Sequence, residues 1–283
     1  MRLALLGTGI LGNAIAERIL TQGHSLTVYN RTLSKTKNLA EKGAIVVETA
    51  SEGISQAEGV LVVLSDASAV EEVILSGGEN FLEGKTIFQM STISSMESIN
   101  LQKKVYQLGG EYLECPVLGS RKEALAGELL VMVGATQEKF DKWQSTLRIL
   151  SKEPKRIGKV GKAAALKLAL NHLIAVHAVG FSLSLGMVQK NEIDVEIFME
   201  ILRKSALYAP MYDKKLDNWI KQSYSNPNFP AKHLLKDVEL VLREAKEKDM
   251  TTEVIAAIQS IYKKAIEKGF AEKDYSAVFE VIK

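Results

Sequence analysis

Lys167 and Asn171 stand four residues apart in the stretch VGKAAALKLALNHLIAVHAVGFSLSLGMVQKN, residues 160–191. On a helix that spacing puts both side chains on one face, one turn apart. A cation and an amide framed by Ala and Leu would form a hydrogen-bonding pair for a polar ligand if the helix lies at a domain junction, where pockets tend to form. The alternative is a solvated lysine beside a helix-face amide. A second constellation lies at the start of the chain, where Gly7-Thr8-Gly9-Ile10-Leu11-Gly12 follows a short apolar run at 1–6. Gly7 permits a tight turn, Gly9 lets the backbone approach a pyrophosphate, and Gly12 lets a helix pack close to the preceding strand. The helix that begins there has Ala14, Ile15, Ile19 and Leu20 at helical spacing. Its first N–H groups and the positive end of its dipole would face the phosphates.

The next strand, at 25–29, ends in Asn30-Arg31-Thr32. Selection of NAD usually relies on Asp or Glu at this strand end to hold the ribose hydroxyls, and that carboxylate would repel a 2′-phosphate. Asn30 removes the repulsion, Arg31 can fork onto a phosphate, and Thr32 and Lys35 can add donors. The position favours NADP(H) over the other reading, an ordinary polar turn. The apolar strand at 59–64 runs into Ser65-Asp66, and the strand at 85–90 ends in Ser91-Thr92. Ligands of an open parallel sheet lie outside the carboxyl ends of its strands, so backbone at Leu64 and Ser65 could line the nicotinamide ribose and Thr92 could contact the nicotinamide. Helix capping accounts for the Ser/Thr pair equally well. Gly119 and Ser120, beside Arg121 and Lys122, offer N–H groups and a hydroxyl of a kind that suits a carboxylate. Taken alone, that segment reads as a connecting loop.

These residues need elements to hold them, and the hydrophobic pattern supplies two kinds. Up to residue 160, strands at 44–47, 59–64, 85–90, 111–115, 128–133 and 155–160 alternate with helical segments, one of them at 141–150. GVLVVL at 59–64 is apolar throughout, as a strand buried on both faces should be. Beyond 191 the pattern is helical, at 195–204, 208–223, 233–248 and 253–269, with a short tail from 275. The fold class is therefore α/β: an N-terminal Rossmann-type doubly wound sheet at 1–160, followed by an all-helical C-terminal domain at 161–283 and joined to it by a long interdomain helix. A chain of 283 residues suits two domains. A net charge of only +2, from 36 basic and 34 acidic residues, gives no field for nucleic acid or an anionic membrane. The long helix could span a bilayer by length, but Lys167, His172 and His177 interrupt it. The first apolar run meets Gly7 too soon to be a signal-peptide core. The single cysteine, Cys115, excludes an internal disulfide and fits a reducing, cytoplasmic setting. No metal-ligand spacing is present.

Four separated segments resemble the β-hydroxyacid dehydrogenase family, especially its glyoxylate and succinic semialdehyde reductase branch. GTGILGNAIAERILTQGHSLTVYNRT is similar to the family's cofactor segment and CPVLGSRKEALAGEL to its substrate-carboxylate segment. GKVGKAAALKLALNHL resembles the segment that carries the catalytic lysine, and FPAKHLLKDVELVL the late cofactor and substrate segment. They occur in the family's order and cover nearly the whole chain.

The resemblance implies that Lys167 is the catalytic lysine and Asn171 its partner, and that Thr92 and Lys236 border the nicotinamide. It also implies that Gly119 and Ser120 hold the substrate carboxylate, and that Phe229 and Asp237 shape the pocket. Leu118 departs from the pattern: the branch commonly has Ser there, so a hydroxyl donor is replaced by a branched apolar group. The implied reaction is reduction by NADPH of a small carboxylate-bearing aldehyde or keto acid, with Lys167 as proton donor and no metal. The departure at Leu118 points to a larger or more apolar acid than glyoxylate. Related activities are 3-hydroxyisobutyrate oxidation and tartronate semialdehyde reduction; a non-catalytic relative is the alternative of another class. The resemblance and the apolar circumference of the long helix both imply a homodimer or homotetramer.

Overall fold

The structure, a computed structural model, describes residues 2–76 and 81–283. It divides into two compact units, Met1–Leu168 and Ala169–Lys283.

The first unit is built on strands β1 (Leu3–Leu6), β2 (Leu26–Tyr29), β3 (Ile45–Val46), β4 (Gly59–Val62), β5 (Thr86–Gln89) and β6 (Glu111–Glu114). These run parallel in the order β3-β2-β1-β4-β5-β6, so the order reverses between β1 and β4. The helices between them are α1 (Ile10–Thr21), α2 (Lys37–Ala40), α3 (Ala50–Gln56), α4 (Ala67–Ile74) and α5 (Ser95–Gln107). Side chains alternate across the strands. Leu5 and Phe88 therefore pack with Ile15 and Ile19 of α1, whereas their neighbours Leu6 and Ile87 pack with Ile54, Val70 and Leu101 on the opposite face. Burial on both faces explains why β1 and β4 carry no polar side chain.

After β6 come β7 (Val117–Leu118), α6 (Arg121–Ala126), β8 (Leu130–Gly134), α7 (Gln137–Leu147) and β9 (Lys155–Gly158). β8 pairs antiparallel with β6 and β7, and parallel with β9. The segment after Cys115 is thus more than a connecting loop: it forms a short strand and a helix closed by Gly127 in the left-handed conformation (φ +71). A 3-10 turn at Leu33–Thr36 precedes α2. α7 begins earlier than its pattern suggests because the Thr136 hydroxyl accepts from the Lys139 N–H and caps it.

α8 (Lys162–Lys190) spans 29 residues, and the boundary between the two units falls inside it. Among the described residues it is the one helix long and apolar enough to cross a membrane by length and composition. α9 (Val195–Lys204), α10 (Pro210–Ile220), α11 (Ala231–Glu247) and α12 (Glu253–Ala265) follow. α12 runs into a single π turn, Ile266–Phe270, and the chain ends on a 3-10 segment, Tyr275–Val281. Pro210 sits in the first turn of α10, where its missing N–H costs nothing. Two apolar clusters hold this unit. One gathers Ala175, Leu234, Ile258 and Tyr262, and the other Phe181, Tyr212, Trp219 and Phe279.

Trp219 is fully buried, its ring centroid lies 4.6 Å from that of Phe181, and its indole N–H donates to the Ser276 carbonyl at 3.0 Å. Trp219→Ala should cost about 3–5 kcal/mol, a large aromatic truncation in a closed core, measured as a lowered urea midpoint.

Candidate active site

The glycine turn sits at the carboxyl end of β1. Gly7 has φ +103, a conformation that disfavours any side chain. A Cβ on Gly12 would overlap the Gly7 carbonyl oxygen, so α1 approaches the strand as closely as it does only because residue 12 is glycine. Gly9 differs: its φ of −66 would allow a side chain, and a Cβ there would meet nothing within 4 Å. The space in front of Gly9 lies before the first turn of α1, which has no side-chain cap and no acidic residue. Exposed Ile10 and half-buried Leu11 open that turn. This arrangement fits a pyrophosphate, which would take the N–H groups the helix leaves without partners.

The end of β2 is tied directly to the turn. Thr8 N–H donates to Asn30 Oδ1 at 3.0 Å, and Asn30 Nδ2 donates to the Thr32 carbonyl at 2.9 Å. Thr8 Oγ1 donates to the Lys35 carbonyl at 3.2 Å. Asn30 is therefore a brace between the two cofactor segments as well as a neutral residue where a carboxylate would select NAD. Arg31, Thr32 and Lys35 are exposed, and neither Arg31 nor Lys35 has an ion pair among the described residues.

At the ends of β4 and β5, Leu64 N–H donates to Ser91 Oγ at 2.8 Å. Ser65 Oγ donates to Asp66 Oδ2 at 2.7 Å, and Asp66 caps α4 through the Ala69 N–H. The N-cap of α5 is Ser94, two residues after Thr92. Ser94 caps α5, receiving the Glu97 N–H at 3.2 Å while its own N–H donates to the Glu97 carboxylate at 2.8 Å. Thr92 is half-buried at the carboxyl edge of the sheet.

Gly119 has φ +133, and Ser120 caps α6. Of the donors expected for a substrate carboxylate, the two from Ser120 are already engaged by a carboxylate of the same chain. Ser120 N–H donates to Glu123 Oε2 at 2.8 Å and Ser120 Oγ at 2.5 Å. Half-buried Leu118 precedes them.

Lys167 lies in the second turn of α8 and is only 8% exposed, which excludes the solvated reading. The helix start is held by a residue that sequence reasoning missed. Glu114, buried at the end of β6, accepts the Gly161 N–H on both oxygens at 2.9 and 3.1 Å and the Ala163 N–H at 3.1 Å. Burial raises the Glu114 pKa, against the opposing effect of hydrogen bonds from Ser98 and from the Ala164, Gly161 and Ala163 N–H groups. The signal available in the sequence was an acidic residue inside the otherwise apolar strand YLEC.

In the second unit, Asn171 is 2% exposed, and its Nδ2 donates to Asp237 Oδ2 at 2.6 Å. An ionised carboxylate can only accept, so Asp237 fixes which way the amide faces. Asn171 Oδ1, buried and without a hydrogen-bond partner, then points elsewhere as an available acceptor. Asp237 is likewise 2% exposed, and Lys236 Nζ lies 2.8 Å from its Oδ1 as an ion pair outside hydrogen-bond geometry. Asp237 is thus a buried carboxylate of α11, with half-buried Lys236 beside it. Phe229 is half-buried edge-on to Tyr275, with centroids 5.9 Å apart. His233 follows the usual course of a buried imidazole, its pKa lowered by desolvation and by Lys232 and Lys236. Among the described residues no cluster of His, Cys, Asp or Glu could hold a metal.

The cofactor segments, the Ser120 turn and Lys167 all belong to the first unit. Asn171, Phe229, Lys236 and Asp237 belong to the second. Lys167 and Asn171 share α8 at the spacing of one turn.

Comparison with known proteins gives a consistent picture. Residues 2–161 match the profile described as the NAD binding domain of 6-phosphogluconate dehydrogenase, and residues 161–282 that described as the NAD-binding domain of NADP-dependent 3-hydroxyisobutyrate dehydrogenase. Glyoxylate/succinic semialdehyde reductase 1 of Arabidopsis thaliana is 34% identical over 286 residues, covering 100% of this chain and 99% of that protein. The cytokine-like nuclear factor N-PAC of Drosophila melanogaster is 28% identical over 278 residues, 97% of this chain but 46% of that one. The crystal structure of a Salmonella typhimurium 3-hydroxyisobutyrate dehydrogenase superposes with a TM-score of 0.90 at 21% identity, covering 99% of both chains, a likeness of fold. With both halves matched in order and a full-length relative above 30% identity, the chain belongs to the β-hydroxyacid dehydrogenase family of nicotinamide-dependent oxidoreductases.

Proposed function

We propose that the enzyme is an NADPH-dependent reductase of small aldehyde or keto acids, with Lys167 as the proton donor. The observation that carries this reading is a buried lysine one helical turn from an asparagine whose amide is oriented by a buried carboxylate. Reduced nicotinamide, when bound, supplies hydride to the substrate carbonyl carbon. Lys167, as ammonium, gives a proton to the carbonyl oxygen as charge develops on it; general acid catalysis of this kind contributes roughly 10² to 10⁴-fold. Asn171 Oδ1 offers the acceptor that orients either the ammonium or the hydroxyl it creates. Lys236 and Phe229 border the nicotinamide and the substrate, as the family resemblance implies.

The preference for NADPH is supported by Asn30, which leaves no anion at the end of β2, and by the unpaired cations Arg31 and Lys35. The Ser120 N–H and hydroxyl would take the substrate carboxylate after Glu123 swings aside. Leu118 then presents an apolar surface, which favours an acid with a carbon chain, such as succinic semialdehyde, over glyoxylate. Oxidation of 3-hydroxyisobutyrate is the reverse chemistry on a related skeleton and is the second reading. A non-catalytic role, as the nuclear-factor relative brings to mind, would leave Lys167 without work to do.

Assembly follows from α8. Leu173, Leu183 and Met187 are exposed, and no Lys, Arg, Asp or Glu lies between Lys167 and Lys190. The exposed positions 173, 180 and 187 recur every seven residues, the repeat that lets one helix seat against another. An uncharged stripe is compatible with itself, so a second copy of the chain is the occupant proposed. The buried thiol Cys115 suits a reducing cytoplasm.

Lys167→Ala should lower kcat at least 10²-fold with succinic semialdehyde while NADPH still quenches or enhances protein fluorescence as in the wild type; an active variant would end Lys167's role. For cofactor choice, Arg31→Ala should raise KM for NADPH about tenfold, the loss of one charge-assisted phosphate contact, and leave KM for NADH nearly unchanged. Equal losses with both cofactors would count against the 2′-phosphate assignment. Light scattering at micromolar concentration should give a mass of two or four chains, and Leu183→Glu should shift it toward one.

A further inference from the structure

The carboxylate of Glu114 comes from the sheet, not from the helix it caps. It reaches the first turn of α8 from β6, 47 residues earlier in the chain, and takes N–H groups from Gly161 and Ala163. α8 has no acidic residue of its own in that turn. Room for the carboxylate exists because residue 134 is glycine: a Cβ there would overlap Glu114 Oε2. Gly161, with φ +95, turns its N–H onto the same group. Hydrogen bonds from two different peptide units fix the helix end in direction as well as position, which an apolar contact would not do. Lys167 lies five residues after Lys162, so about 7.5 Å along the axis at 1.5 Å per residue. A rigid helix transmits any rotation or slide of its first turn to that side chain.

We propose that Glu114 is a positioning residue for the proton donor: it sets the rotation and axial register of α8 and thereby aims Lys167. The inference rests on the reading of Lys167 given above. Burial raises the pKa of the Glu114 carboxylate. Its stabilising effect is largest below the unfolded-state pKa and is lost as pH rises through the folded value. The positioning role rests on the two directional N–H contacts at the helix start.

The test compares Glu114→Leu, which removes both acceptor oxygens at similar volume, with Gly134→Ala, which displaces the carboxylate without changing any charge. Both should lower kcat about 10 to 10²-fold, as small misplacements of a reacting group do. KM for succinic semialdehyde and the NADPH dissociation constant by fluorescence should stay near wild type, while the melting temperature falls because buried N–H groups lose their acceptor. A purely structural cap predicts a different split: fewer NADPH-binding sites, with kcat per site unchanged. That result in either variant, or loss of fold in both, overturns the proposal. Lys167→Ala measured in parallel separates the two ideas. If it is inactive while both other variants keep wild-type kcat, only the positioning role fails; if it is active, the reading of Lys167 fails first.

Discussion

A carboxylate removed from water survives only where hydrogen-bond donors replace the lost solvent, and α8 is gripped at two points by carboxylates in that condition. Glu114 holds peptide N–H groups at its start, and Asp237 holds the Asn171 amide two turns further along. The first grip lies within one compact unit and the second within the other. Each grip is directional: a helix held only by apolar contact can roll by tens of degrees at small cost, whereas an N–H must lie near the line of its acceptor. Lys167, the proposed proton donor, lies on α8 one turn after the first grip. Breaking either grip by removing the donors would leave a buried carboxylate unsatisfied, a far larger penalty than the net worth of the bonds themselves.

The cofactor half follows a different physical logic, in which backbone does the work. Gly12 brings α1 against the turn, Gly9 leaves the approach clear, and the first turn of α1 carries no side-chain cap. Asn30 then couples the phosphate turn to the segment proposed to choose between cofactors, because one amide bonds Thr8 and Thr32 together. A change at the end of β2 would therefore be felt at the pyrophosphate turn as well as at the ribose.

Much of this half was legible in the sequence because its determinants are local. A glycine turn after a strand and a helix start are set by residues within a dozen positions of one another, and so is the character of the Asn30-Arg31-Thr32 run. What stayed hidden depends on partners far along the chain. Glu114 reads as an ordinary acidic residue until Gly161 arrives, and Lys236-Asp237 reads as a solvated helix pair until Asn171, 66 residues away, claims the carboxylate. The reading of the segment around Gly119 to Lys122 as a connecting loop failed for another reason. Ser120 and Glu123 have the spacing of a capping box, as do Ser94 and Glu97, and that spacing was visible without any structure. The same box shows why a turn that can bind a carboxylate is not free to do so: the chain carries one three residues on.

The substrate end can be argued one step further from that box. Exchange of the Glu123 carboxylate for a substrate carboxylate conserves the number of charge-assisted bonds to Ser120, while half-buried Glu123 regains water. The net cost is then roughly that of losing one helix cap, about 1 kcal/mol. Recognition of the carboxylate as such would accordingly contribute little affinity, and selection among acids would fall to the remaining contacts. Leu118 stands where a further donor would have favoured the smallest, most polar acids. An apolar side chain there gains about 0.8 kcal/mol for each methylene it covers. On the proposed reading, the balance of these two terms would tilt selection toward acids whose carbonyl and carboxylate are separated by carbon, through a residue in β7 and a cap in α6.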